Sequence, residues 1–451
     1  MTTPDQTAPL SDIAAALIAA ARKAGAGEAD VLVRRGTSIS VDVRAGALEQ
    51  AERSEGIEMG LRVLIGQRQA CVSASDIRAE TMQAVAERAV AMAREAPEDK
   101  WIGLADPSQL ATETPDLDLC DPAGPPLPAE LEEAALRAEA AALAVEGVSQ
   151  AQGASASYSA SESHLAATNG FSAAMARSSG SISCSAIAGT GTGMERDHDF
   201  DHRIYRADLR APEEIGERAA QRAVERLGAR KPQTGAYPVL FDERISSSII
   251  GHLLGAVNGG AIARGASFLR GSLGERILPA GLSVIEDAHR PRVFGSRPFD
   301  GEGLATGQRD IVRDGMLCGW TLDLANARKL GMAPTGNGAR GLSSPPSPAA
   351  WNVALTQGSA SRADLMRDMG TGLLVTSMIG STINPNTGDY SRGASGFWVE
   401  NGEPVYPVNE CTIAGNLRDM FLNMVPANDA RAWMSHVVPS LLIEGLTLAG
   451  Q

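Results

Sequence analysis

Histidine and cysteine are the residues of this 451-residue chain best suited to hold a metal or attack a substrate. Their spacing restricts what they can do. His252 stands in SSSIIGHLLGA (Ser246–Ala256), an apolar, glycine-flanked run of helical character. A lone imidazole in such a setting is ordinarily packed and satisfied by one hydrogen bond, and a metal site requires further ligands. His198 and His202 lie four apart in RDHDFDHR, a spacing that puts both imidazoles on one face of a helix or a strand. No third ligand is near them in sequence, so the segment reads as a solvated strand. Cys71, Cys120, Cys184, Cys318 and Cys411 are widely separated and odd in number, which predicts reduced thiols rather than disulfides or a zinc quartet. The fragments GASFL, GSLGE and GASGF lack the strand-elbow-helix setting of a nucleophilic serine. GTGTG (189–193) lacks the Lys-Ser/Thr ending of a phosphate loop.

The elements that must position these residues follow from periodicity. SDIAAALIAAARKA (11–24) reads as a helix with Ser11 as a possible cap and Gly25 as its stop. From Ala29 to Ser75, β-branched alternation broken by turn residues predicts a meander of about four or five strands. A second helix follows Asp76, with Ile77, Met82, Val85, Ala89 and Met92 at helical spacing. Pro97 to Glu130 holds seven of the 24 prolines and reads as a surface linker. The plan of helix, strands and helix then repeats, either as a duplication or as two halves of one sheet-bearing region. Beyond residue 233 the chain is rich in glycine and short strands, with a hairpin signal at Asn401-Gly402 in VENGEPVYPV. The expected class is α+β: two helix/β-meander/helix blocks (1–100 and 131–232) joined by a proline-rich linker (101–130), then a β-rich, barrel-like or sandwich-like domain (233–451).

A formal charge of -14 argues against a large nucleic-acid footprint, because phosphate binding needs clustered Lys and Arg. The start, MTTPDQTAPL, has no basic-then-apolar leader, and no apolar run reaches the roughly 18 residues of a membrane span. A cytoplasmic protein without membrane or nucleic-acid partners is the expectation.

Three segments carry a specific resemblance: SIIGHLLGAVNGGAIARGASFL (248–269), FGSRPFDGEGLATGQRDIVRDGMLCGWTLDLANARKLGMAPTGNGAR (294–340) and MIGSTINPNTGDYSRGASGFWVENGEPVYPVNECTIAGNLRDMF (378–421). In this order they resemble the TldD/PmbA family, in particular its PmbA branch, also called TldE. The resemblance implies a subunit of a cytoplasmic heterodimeric zinc metallopeptidase that processes or degrades unfolded or modified peptides. It also implies that zinc sits in a TldD-type partner bearing an HExxxH helix and a cysteine near its C-terminus, and no cofactor in this chain. The family's older label, modulator of DNA gyrase, describes a phenotype and requires no DNA contact. Matched to HExxxH, His252 keeps the last histidine, while Ser247 and Ser248 stand in place of the first histidine and the glutamate. Serine supplies neither an imidazole ligand nor a base, and Cys411 falls too early to match the family's cysteine. The resemblance therefore implies no catalytic or metal residue here, with Ser247, Ser248 and His252 as degenerate positions and His252 packed within a peptidase-like helix.

GSTINPNTGDYSRGASG (380–396) is the candidate peptide-channel or interface loop, through Asn384, Asn386, Asp389, Tyr390, Ser391 and Arg392, together with His252. The same residues also suit a structural loop held by its own Asx turns. Two other functions stay open. One is a self-sufficient metallopeptidase with a rearranged site, drawing on His436 or on His198 and His202. The other is a homodimeric, non-enzymatic peptide-binding or regulatory protein.

Overall fold

The computed structural model describes residues 8–450. Residues 1–7, the first part of the segment read as lacking a leader, lie outside the described residues. Helix α1 (Leu10–Ala24) is closed by Gly25 at φ 102, whose N–H returns to the last turn. Pro9, not Ser11, occupies the N-cap position, and the Ser11 hydroxyl bonds Asp12 instead.

The expected four or five strands are three: β1 (Glu28–Arg44), β2 (Ala47–Ile65) and β3 (Arg68–Ala74). Gly36 and Gly56 do not break strands. They face each other in register, so β1 and β2 run through them as one long ribbon. Helix α2 (Ala79–Glu95) buries Met82, Val85, Ala86, Ala89, Val90 and Ala93. Met92, read from spacing as part of that stripe, points to solvent.

The next segment is α3 (Pro128–Leu143), β4 (Val148–Ala167), β5 (Ser172–Ala188), β6 (Glu195–Arg203) and α4 (Pro212–Glu225). Antiparallel pairing of β1 with β4 fuses both blocks into one six-stranded sheet, ordered β3-β2-β1-β4-β5-β6. Each half of the sheet has its own apolar cluster beneath a helix pair, α1 and α2 in one case and α3 and α4 in the other. Because side chains alternate along a strand, Ile39, Val41, Ala156, Tyr158 and Ile182 fall on the helix-covered face. Ser38, Ser40, Ser157, Ser159 and Ser181 fall on the other. The proline-rich stretch does more than skirt the surface. Leu117 and Leu119 are buried, and their carbonyls accept from Arg292 N (3.0 Å) and Ser178 N (2.9 Å), tying the sheet to the second half of the chain.

That half begins with β7 (Gly235–Phe241), α5 (Glu243–Ala256) and α6 (Gly259–Ala263). A small sheet follows from β8 (Val284–Asp287), β9 (Gln308–Arg313) and β10 (Met316–Leu317). Then come α7 (Leu324–Leu330), the paired β11 (Gly338–Ala339) and β12 (Ser347–Pro348), β13 (Val353–Leu355) and α8 (Arg362–Met369). The long strands β14 (Gly372–Ile383), β15 (Asp389–Glu400) and β16 (Glu403–Asn416) precede α9 (Leu417–Leu422), β17 (Met424–Pro426), β18 (His436–Val437) and β19 (Leu441–Ala449). Strands pair in the order β16-β15-β14-β7-β19, and β19 pairs back onto β16 through Thr412–Ala414, closing a five-stranded barrel. The Asn401-Gly402 turn joins β15 to β16 with both residues at positive φ (52° and 81°), as a type I′ hairpin requires. The barrel-like expectation for this half is met, within an α+β chain.

Candidate functional site

Helix α5 leaves β7 at Asp242, whose carboxylate caps it by accepting from Arg244 N. Ile249, Ile250 and Leu253 are wholly buried and fix the helix against the barrel core. Three residues of the opening motif have distinct surroundings. The Ser248 hydroxyl donates back to Ile245 O of its own helix at 2.7 Å. Ser247 borders a cavity of about 420 Å³ that also receives His198 and His436. His252 stands edge-on to Tyr390, ring centroids 5.8 Å apart, and its buried Nε2 has no hydrogen-bond partner among the described residues. Burial, assisted by the Arg392 charge, lowers the His252 pKa and favours neutral imidazole.

The barrel hairpin supplies the rest of that contact. Tyr390 is buried on β15, its hydroxyl donates weakly to Met378 Sδ (3.3 Å), and burial pushes its pKa up to about 12. Arg392 Nε donates to Gly380 O at 2.7 Å. Two candidates distant in sequence, His252 and the 380–396 segment, thus meet at one place. The turn itself is bonded to its own residues and to Asn416. Asn384 Oδ1 accepts from Asn386 N (3.0 Å), Asn384 N donates to Asp389 O (2.9 Å), and Asp389 accepts from Thr387 and Asn416. Asn386 is exposed and Ser391 half-buried, opposite Ala414 in the sheet.

The HDFDH segment departs from a solvated strand. It is β6, whose alternation puts Asp197, Asp199 and Asp201 on the buried, α4-facing side and His198 and His202 on the other. His198 is exposed, whereas His202 lies edge-on to Phe294 at 4.9 Å. Among the described residues no group of three or more His, Cys, Asp or Glu is placed to hold a metal ion. The donor set at α5 does not fit zinc: two hydroxyls, one of them turned back on its helix, and one imidazole against a tyrosine ring.

The three aspartates instead anchor arginines at the junction of sheet and barrel. Arg226 and Arg244 each reach Asp197 at 3.3 Å, and Arg222 and Arg210 each reach Asp199 at 2.8 Å. Arg244 and Arg362 also pair with the capping Asp242, while Arg431 grips Glu243 with two nitrogens (2.6 and 2.8 Å). Burial works against the charge of Asp199 and Asp242, yet their arginines hold both carboxyls below the usual range. Beside the first cavity opens a second of about 540 Å³, reaching Phe397, Val405 and Tyr406 on β15 and β16. Arg222, Glu243, Arg244 and Thr376 border both, so the two form one cleft between α4 and β6 on one wall and α5 with the barrel on the other. Sequence reasoning missed these arginines. The alternating Asp-x-Asp-x-Asp of β6 was the available signal, since aspartate at every second position of a strand demands cationic partners on one face.

The first, central and C-terminal domain models of the PmbA/TldA metallopeptidases match residues 29–93, 121–227 and 234–450. The chain is 38% identical to the metalloprotease PmbA of Escherichia coli O157:H7, across 94% of this chain and 92% of that one. It is 36% identical to a PmbA homolog of Haemophilus influenzae, across 95% and 94%. Among solved structures, a Bacteroides thetaiotaomicron chain provisionally named a modulator of DNA gyrase superposes with a TM-score of 0.90 at 27% identity, covering 98% of both chains. TldE of Thermococcus kodakarensis shares the fold, with a TM-score of 0.85 at 22% identity, covering 97% of this chain and 100% of that one.

Proposed function

The chain belongs to the PmbA/TldD metallopeptidase family, and from that premise we propose that it is the noncatalytic PmbA/TldE-type subunit of a cytoplasmic heterodimer whose TldD-type partner carries the zinc. Its substrates in this reading are unfolded or modified peptides, and its own part is to wall the channel that holds them. The observation that carries the proposal is the state of α5. It is a regular helix with its apolar face buried, Ser247 and Ser248 stand where the family resemblance implies a ligand and a base, and His252 is packed on Tyr390.

The cleft supports a holding role. It opens directly beside the first two turns of α5, and its arginines are fixed by bidentate or shared carboxylate contacts, which preorganises donors for backbone carbonyls. Recognition through backbone groups suits peptides read with little sequence preference. Among the described residues no helix is long and apolar enough to cross a membrane. The proposal is tested by co-expressing the chain with a TldD-type subunit and assaying each component and the complex for cleavage of an unfolded peptide. Copurification with activity confined to the complex supports the reading. Failure to copurify, or cleavage by this chain alone, defeats it.

A further inference from the structure

Most buried arginines of this chain donate to a carboxylate or a carbonyl. Arg62 and Arg340 share Asp30, Arg309 pairs with Glu286, and Arg328 donates to Trp101 O and Leu104 O. Three arginines at the junction of the sheet and the 294–299 segment, exposed Arg34 and half-buried Arg177 and Arg297, meet no carboxylate among the described residues. Strand register puts Arg34 opposite Ser163 and Arg177 opposite Ser161, so both lie on the serine-bearing face, diagonally across β4. Arg177 donates to Ser296 O, next in sequence to Arg297. Arg34 and Arg297 have no side-chain hydrogen bond or ion pair among the described residues, and the buried Nε atoms of Arg177 and Arg297 are both unsatisfied.

The surroundings do not neutralise this cluster. Arg177 lies over the Phe294 ring and Arg297 over the Trp351 ring, centroid distances 5.0 and 4.4 Å, which orients the guanidinium planes without supplying an anion. Glu58 is opposite Arg34 in register but forms no ion pair with it. Asp300, whose charge Arg297 feels, already accepts from Glu302 N, Leu304 N and Gly338 N. Burial lowers the pKa of Arg177 to about 10, with Arg297 adding to the effect, and both remain charged at neutral pH. Leaving the buried Nε donors of Arg177 and Arg297 unpaired is costly, whereas an anion placed among the three guanidinium groups converts mutual repulsion into charge-assisted hydrogen bonds.

We propose that Arg34, Arg177 and Arg297 form a receptor for a peptide carboxylate, presented on the exposed, hydroxyl-lined face of the sheet. The ligand class rests on the peptide-holding role above; the anion site rests on the arginines alone. Free-terminal and acidic side-chain carboxylates share the required chemistry. The test measures direct binding by the isolated full chain, without partner or cleavage, so its failure is distinguishable from failure to assemble. The probes are a short, neutral, unstructured peptide with a free C-terminus, the same peptide amidated, an amidated version bearing one glutamate, and inorganic phosphate. We expect at least one carboxylate-bearing peptide to bind about tenfold or more tighter than the neutral amidated one, and Arg34→Gln and Arg297→Gln to erase that preference while thermal unfolding stays cooperative. Because Arg34 is exposed, its variant carries the test if Arg297→Gln does not fold. Equal or absent binding of the peptides, phosphate binding without peptide discrimination, or preference surviving in Arg34→Gln would overturn the proposal.

Discussion

Asp242 is the residue through which the cleft and helix α5 depend on each other, and its removal has a magnitude that follows from its contacts. It is 3% exposed, caps α5 through Arg244 N, and binds the side chains of Arg244 and Arg362. Losing an aspartate cap costs about 1 kcal/mol, and losing hydrogen bonds between charged groups costs about 1.5–3 kcal/mol. Arg244 keeps Asp197 at 3.3 Å, and the Arg362 side chain is 43% exposed, so neither becomes an isolated buried charge. The loss therefore stays at the low end of the roughly 3–5 kcal/mol of a broken buried pair. Asp242→Ala should destabilise by about 3 kcal/mol, and Asp242→Asn, which keeps the capping acceptor, by about half as much. Urea unfolding followed by tryptophan fluorescence reads this directly, since four of the five tryptophans lie beyond residue 238. The pH dependence gives a second check. Arg244 and Arg362 outweigh burial and hold the folded carboxyl below its ordinary value, so the contribution is complete above the unfolded pKa of about 3.9 and fades as pH falls through the lower folded one. The gap between wild type and Asp242→Asn should narrow below about pH 4. An Asp242→Ala protein within about 0.5 kcal/mol of wild type, or a gap that widens on acidification, would refute this account of the cleft.

Other perturbations separate packing from function. A Cβ on Gly216 would lie 1.9 Å from Ala138 O, where α3 and α4 touch, so Gly216→Ala should cost about 1–3 kcal/mol or more in denaturant unfolding. Gly251→Ala, on α5 with open space around it, should stabilise by about 0.5–1 kcal/mol. Gly402→Ala places a side chain at φ 81 and 2.8 Å from Arg367 Cα, and should lower the thermal midpoint where the same change at Gly251 raises it. His252 has a lowered folded pKa, so the unfolded chain binds the proton first and wild-type stability should fall, relative to His252→Gln, as pH drops below about 6.5. NMR titration of the imidazole should give a midpoint below that value.

Local signals in the sequence were reliable where one residue type has one structural use. Gly25 ends α1 and Asn401-Gly402 turns the β15–β16 hairpin as their chemistry demands. Reading failed where tertiary pairing overrides a local cue. Gly36 and Gly56 are turn-favouring residues within the Ala29–Ser75 meander, but cross-strand neighbours hold them in extended ribbon. Met92 kept helical spacing yet falls outside the buried stripe, which Ala86, Val90 and Ala93 complete because small residues allow close helix-to-sheet contact. At the site, the helix that carries Ser247, Ser248 and His252 was legible from its apolar spacing. The meeting of His252 with Tyr390, the arginines held by the β6 aspartates, and the unpaired Arg34, Arg177 and Arg297 depend on contacts between residues up to hundreds of positions apart. No periodicity within a single strand or helix encodes such contacts.

The claim that this chain shapes a peptidase without housing its metal is tested most directly by elemental zinc analysis. It should be run on the purified chain, on a TldD-type partner and on their complex, each with wild-type His252 and with His252→Ala in this subunit. The account predicts that zinc and peptide cleavage follow the partner, that this chain alone carries no stoichiometric zinc, and that His252→Ala leaves the zinc content of the complex unchanged. Stoichiometric zinc on the isolated chain that disappears with His252→Ala would contradict it.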